Sequence, residues 1–330
     1  MAPATSILLP AWSAAVPRRA SYVAVLTAVV VQLLAPGVAP WLLAPLLLIG
    51  LLVLGVAHGA CDQFVVPATH PALVRSRFRY WASFLFGYLG LAALVGLLWW
   101  WQPAATVALF FGLTAWHWGS ADASVFFANR GHWVAHSLLR GALLFAVPLG
   151  HWPEETRAII NGLLTLAGAL PISAGAVQQA SVVVVALVGI GHLVLWTSYF
   201  QQGRGVLART DMLEVLLLTA LLLVLSPLFS AGVYFIFWHS LQHVLRMNQL
   251  MGRPADSRQL LLRIELGFFL RRSAPLLLVS TTGLAILYGI AWSQAAPSSV
   301  FVSLALVVAS VVTLPHALLV TLGMDAARWR

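Results

Sequence analysis

The chain has 330 residues, 61% of them hydrophobic and 8% charged, with a net charge of +9 and a mean hydropathy of +0.93. Soluble domains carry about 25% charged residues, so there is too little polar surface here to face water. That excludes a soluble enzyme, a disordered chain and a nucleic-acid binder, and it leaves a polytopic membrane protein. The long apolar runs lack the alternation of barrel strands, so the expected fold is an all-α transmembrane bundle.

Residues 1–19 end in Arg18-Arg19 and show no small-residue cleavage site, so they read as a cytoplasmic segment before a retained first span. Apolar segments follow at 20–35, 41–61, 81–101, 103–120, 132–150, 158–170, 180–200, 213–228, 231–247, 273–292 and 299–323. Pro36-Gly37, Gln102-Pro103, Ser226-Pro227 and Pro297 punctuate them. No fixed repeat or low-complexity linker divides the chain, so 1–330 reads as a single integral membrane domain.

All 18 basic residues are arginine, and sixteen fall at segment ends: Arg18, Arg19, Arg75, Arg77, Arg79, Arg130, Arg204, Arg209, Arg246, Arg253, Arg258, Arg263, Arg271, Arg272, Arg328 and Arg330. Basic residues favour cytoplasmic loops. The sixteen share one side only if an even number of crossings separates Arg130 from Arg204. The short segment 158–170, ended by Pro171, then reads as re-entrant or interfacial. About ten spans with both termini cytoplasmic is the expected topology, in a cell inner or plasma membrane. Arg157 is left outside, beside Glu154 and Glu155.

Ten histidines outnumber nine carboxylates, while the one cysteine, Cys61, excludes a disulfide framework within the chain and a Cys-rich metal site. In this topology His58, His117, His239 and His243 come from three helices and share one membrane level. His239 and His243 are four apart, so their rings share a helix face about 6 Å apart, the spacing by which one helix offers two imidazoles to a metal. Ionisable groups in spans are costly and face the bundle interior. Imidazole suits Fe, Zn, Cu or Ni. Asp62, four after His58, and Asp122, five after His117, are natural acceptors for the far ring N–H of a ligating histidine. Gly55, Gly59 and Gly119 allow close helix approach around the site.

His316, after Pro315 in the last span, is either a further polar group beside the site or a packing residue at a proline kink. His132 and His136 form a second HxxxH at the start of the fifth span, read as exposed to the interface and as packing or headgroup-facing. His192 reads as structural, and His70 and His151 as loop residues. Trp116, Trp118, Tyr234, Phe235 and Trp238 crowd the four candidate ligands. Any one ring is ordinary bundle filling; together they suit a long, flat, apolar substrate entering from the bilayer.

The combination His58-Gly59-Ala60-x-Asp62, His117-x-Gly119-x-x-Asp122, Trp238-His239-Ser240-x-x-His243 and Leu314-Pro315-His316 resembles the Brp/Blh family of membrane β-carotene 15,15′-dioxygenases. The resemblance runs from the second span to the last. It implies cleavage of the central double bond of β-carotene, or a related carotenoid, by O2 to two retinals. It further implies a non-haem Fe(2+) held by His58, His117, His239 and His243, and partners limited to substrate, O2 and membrane lipid, with hand-off of retinal to a rhodopsin. Cys61 stands where an apolar residue is the family pattern, which makes it a candidate soft ligand, and Gln242 stands where a basic residue is commoner. The rival readings are a membrane di-iron hydroxylase or desaturase acting on a lipid or carotenoid, a metal or proton transporter, and an assembly factor without activity. The absence of an adjacent His-His pair disfavours the first, and the apolar outer halves of the spans disfavour the second.

Overall fold

A computed structural model describes residues 18–123, 130–253 and 262–329; most of the N-terminal segment, Arg258 and Arg330 lie outside the described residues. Among the described residues all regular structure is helical. Hydrocarbon offers no hydrogen bonds, so each backbone N–H and C=O has to be satisfied within its own helix. The order is α1 (Arg19–Leu34), α2 (Ala39–Gly50), α3 (Val65–Thr69), α4 (Arg77–Trp101), α5 (Pro103–Asp122), α6 (Arg130–His151) and α7 (Pro153–Leu166). Then come α8 (Ala174–Gln201), α9 (Gly205–Val224), α10 (Pro227–Val233), α11 (Leu241–Leu250), α12 (Leu262–Ser293) and α13 (Ser298–Leu319).

The punctuation expected from the sequence sets the boundaries. Pro103, Pro153 and Pro227 open α5, α7 and α10, where a missing N–H costs nothing. Gly203 and Gly252 follow α8 and α11 with φ of 71° and 87°, the left-handed turn that ends a helix.

Among the described residues six stretches are long and apolar enough to cross a bilayer: Ala39–Thr69, Arg77–Trp101, Arg130–His151, Ala174–Gln201, Leu262–Ser293 and Ser299–Met324. The expected ten crossings exceed these six. The segment anticipated at 158–170 is the 14-residue helix α7. At 1.5 Å per residue it extends about 21 Å, short of the roughly 30 Å hydrocarbon layer. Apolar side chains face outward, with Phe86 84% and Trp100 85% exposed. Along α12 only Phe269 and Ser273 are buried. A lipid-facing surface has this inverted polarity.

Two features place the functional residues. First, α5 and α6 touch backbone to backbone: a Cβ on Gly119 would lie 1.8 Å from the Ser137 carbonyl oxygen, and one on Gly141 would lie 1.7 Å from that of Ala115. Small residues permit this approach, which holds the C-terminal half of α5 against α6. Second, three π-helical turns interrupt the ladder at Leu51–Val56, Tyr234–Ser240 and Val320–Met324. The first precedes His58, the second contains His239 and the third follows His316. Such turns re-aim side chains and recur at functional sites. The segment from Tyr234 to Met247 is anchored on both faces. Tyr234 and Trp238 pack with Leu218 and Leu221 of α9, whereas Ile236, Val244 and Met247 pack with Cys61 and Phe269.

Candidate metal centre

Five histidine rings meet inside the bundle. His58 lies 4.8 Å from His316, 5.4 Å from His243 and 5.7 Å from His239, centroid to centroid. His117 lies 4.7 Å from His316 and 4.8 Å from His239, and His243 is 5.1 Å from His316. The His239 and His243 rings, one turn apart, are nearly parallel at 6.3 Å. All five are buried. The rings of the four histidines singled out by depth are therefore together, and His316, left open between a polar group beside the site and a packing residue, lies among them.

Half of the ten ring nitrogens have no hydrogen-bond partner. His117 Nδ1, His239 Nδ1, both nitrogens of His243 and His316 Nε2 have no hydrogen-bond partner. The one contact between rings sets His239 Nε2 3.1 Å from His117 Nε2. Two nitrogens each about 2.1 Å from one ion, at a near-right angle, also lie about 3 Å apart. Buried polar atoms are otherwise nearly always paired, so a cluster of buried imidazole nitrogens without hydrogen-bond partners is a set of ligand atoms suited to a metal ion. His58, His117 and His316 offer ligand atoms within 4.8 Å of one another, and so do Asp62, His243 and His316. The residues present fit a bound transition metal.

Two rings have their tautomer set from behind. His58 Nδ1 donates to the Gly55 carbonyl at 2.6 Å, which leaves the Nε2 lone pair free. His316 Nδ1 faces both oxygens of Asp62 at 2.9 Å, which leaves Nε2 free toward the other rings. Asp62 was expected to back His58. A 3-10 stretch over Ala57–Phe64 changes the angular spacing of the two residues, and Asp62 reaches α13 instead. Asp62 also accepts from the Tyr88 hydroxyl at 3.2 Å, a residue the sequence did not single out. An inward tyrosine on a helix that is otherwise mostly lipid-facing was the available signal.

Asp122 departs from expectation as well. It accepts from Tyr234 Oη at 2.9 Å and sits 3.8 Å from Arg140, while His117 Nδ1 remains unpartnered. Asp122 belongs to a second buried cluster. Arg140 pairs with Glu214 at 2.7 Å and Asp211 at 3.5 Å, Arg18 reaches Glu214, and His136 Nε2 lies 3.0 Å from Asp211. His136, read as exposed, is 2% exposed and also bonded to Tyr199, because α8 and α9 cover it. His132 bonds Ser198 and His192 the Val188 carbonyl, both outside the cluster. Cys61 is buried among apolar side chains and belongs to neither donor group.

The aromatic candidates divide. Trp118 and Phe235 stand 5.8 and 6.0 Å from the His239 ring, and Phe235 is 5.4 Å from His58. Tyr234 and Trp238 are fully buried in the packing with α1 and α9. Trp116 donates to Thr321 and packs against Trp133 and Trp329.

The β-carotene 15,15′-dioxygenase family profile matches residues 49–324, a span that includes all five clustered histidines. The probable β-carotene 15,15′-dioxygenase Blh of Halobacterium salinarum is 28% identical over 287 residues, covering 82% of this chain and 81% of that protein. No solved structure matches the chain. With a family match over most of its length and a histidine cluster inside an apolar bundle, the chain belongs to the β-carotene 15,15′-dioxygenase family and is a carotenoid-cleaving dioxygenase of the membrane.

Proposed function

We propose that the enzyme cleaves the central 15,15′ double bond of β-carotene with O2, giving two retinals, at an Fe(II) centre held by His58, His117, His239 and His243. His316 completes the donor set in this reading, with Asp62 behind it. The single observation that carries the proposal is the buried cluster of ring nitrogens without hydrogen-bond partners. Softness of the ligands selects a transition metal, and a dioxygenase needs one that is redox-active, which favours iron over zinc.

When bound, Fe(II) supplies the unpaired electrons and open positions that allow O2 to react with a closed-shell polyene. The chain's own residues do the rest. Gly55 and Asp62 fix the tautomers of His58 and His316 so that lone pairs, not N–H groups, point inward. Neutral imidazoles leave the ion's positive charge uncompensated. Trp118 and Phe235 offer flat apolar faces beside His239 for a conjugated chain. Apolar rings flank the cluster, so the aldehydes form in an apolar medium and leave into lipid or to a rhodopsin. In the same reading 1–330 is one membrane domain with about ten crossings and cytoplasmic termini in the cell inner membrane, α7 being interfacial.

The test is His239→Ala, expressed in β-carotene-producing cells and also purified. Retinal formation and iron content should both fall to background while the protein still inserts. Retinal at wild-type levels from that variant sinks the ligand assignment.

A further inference from the structure

A groove runs along the flank of the bundle between α4 and α13, with a volume of about 730 Å³, within the range of small-molecule sites. Its walls are Tyr80, Phe84, Tyr88 and Leu91 from α4, Leu319 from α13 and Leu322 from the π-helical turn that follows it. The α4 residues recur every three or four positions, so they form one stripe, about 17 Å long at 1.5 Å per residue. The rings form a ladder, with Tyr80 6.0 Å from Phe84 and Phe84 5.6 Å from Tyr88. Both tyrosine hydroxyls are used up on the inner segment: Tyr80 donates to the Gln63 carbonyl and Tyr88 to Asp62. What remains toward the groove is apolar ring surface.

The groove adjoins the histidine cluster. Tyr88 touches Asp62, Asp62 holds His316, and Pro315, which also lines the groove, is the residue before His316. The groove thus meets the cluster on its His316 side, while Trp118 and Phe235 meet it on its His239 side. Cleavage at the middle of a long polyene requires its two arms to leave the reacting bond in different directions. We propose that the α4–α13 groove is the seat of one arm and its terminal ring, and the route by which the carotenoid enters from the bilayer. This assignment rests on the cleavage reading above. The rival occupant is a phospholipid, since Arg75 and Arg79 also line the groove and suit a phosphate headgroup.

Two glycines of α4 supply the test. Gly87 lines the groove, Gly90 does not, and a Cβ on either meets nothing within 4 Å. Gly87→Trp and Gly90→Trp therefore add the same bulk to one helix, inside and outside the groove. Gly87→Trp should lower kcat/KM for β-carotene by about tenfold or more, with Gly90→Trp within about twofold and iron content equal in both. A carotenoid truncated on one arm should lose less in Gly87→Trp than β-carotene does. Metal-stripped protein, loaded with β-carotene in detergent and assayed by absorbance, should retain less pigment in Gly87→Trp alone. Equal turnover and equal pigment in the two variants overturn the assignment. So does a change confined to co-purifying phospholipid. If the metal-stripped wild type retains pigment that Gly87→Trp loses, yet the loaded wild type forms no retinal, the cleavage reading fails and the groove assignment stands.

Discussion

The histidine cluster and the ionic cluster both draw on α5, and both are buried, but one sets opposite charges against each other and the other gathers like groups. Around Arg140 each charge faces an opposite one: Asp211, Glu214 and Asp122 surround Arg140, and Arg18 closes on Glu214. Around His117 the ring nitrogens face one another, and five of the ten have no hydrogen-bond partner. A buried group that is already paired holds helices together. A buried donor that lacks an acceptor is kept for something that arrives from outside the chain. Asp122 illustrates the boundary, since it lies five residues from His117 yet spends its oxygens on Tyr234 and Arg140.

That difference can be broken from either side. Arg140→Met should have the largest effect. It leaves Asp211 and Glu214 as buried carboxylates short of one cationic partner, and removing one member of a buried pair costs about 3–5 kcal/mol. Thermal unfolding in detergent and the yield of folded protein measure the loss. Whatever protein remains folded should bind iron normally, because the histidines keep their positions. A variant that is stable but metal-free would merge the two clusters into one.

Asp62→Asn comes next and acts on the other side. It keeps the shape and a hydrogen bond to His316 but removes the negative charge behind the ring. Outer partners of ligating histidines are worth about 10–100-fold in metal affinity, so iron retention against a competing chelator should fall by that order while the unfolding midpoint hardly moves. Unchanged iron affinity would detach His316 from the metal site.

Tyr234→Phe should be the mildest. It removes one hydrogen bond to Asp122, about 1 kcal/mol, and leaves the π-turn and the His239 ring in place. A small drop in stability with near-normal turnover assigns Tyr234 to the ionic cluster. A large loss of turnover with unchanged stability would return it to the substrate, where the aromatic crowding of the sequence first placed it.

Much of this site is legible in the sequence, and the reason is depth. Span order and arginine positions assign each histidine a level, and residues at one level on neighbouring helices have few places to go. His58, His117, His239 and His243 come together as expected. What depth leaves open is rotation about each helix. His316 and His136 share the ambiguity of a histidine in an apolar run, and they have opposite fates because their helices turn toward different neighbours. Asp62 and Asp122 turn to other partners for separate reasons: the 3-10 stretch at 57–64 changes the spacing after His58, whereas Asp122, five residues after His117 in the regular helix α5, lies on a different face.

The arginines divide along the same line. Their clustering at segment ends, their scarcity elsewhere and the 61% hydrophobic content determine a helical membrane protein without reference to any contact. Helix identity is local, because hydrocarbon forces each segment to satisfy its own backbone. Tertiary structure alone decides that Arg18 meets Glu214 and that Arg246 meets Asp325, since those partners lie 196 and 79 positions away. It also decides that Tyr88 turns inward to Asp62 and leaves a groove beside the histidines. Such pairings depend on which helix lies against which and at what rotation, and a periodic apolar pattern with lipid on the outside carries little record of either.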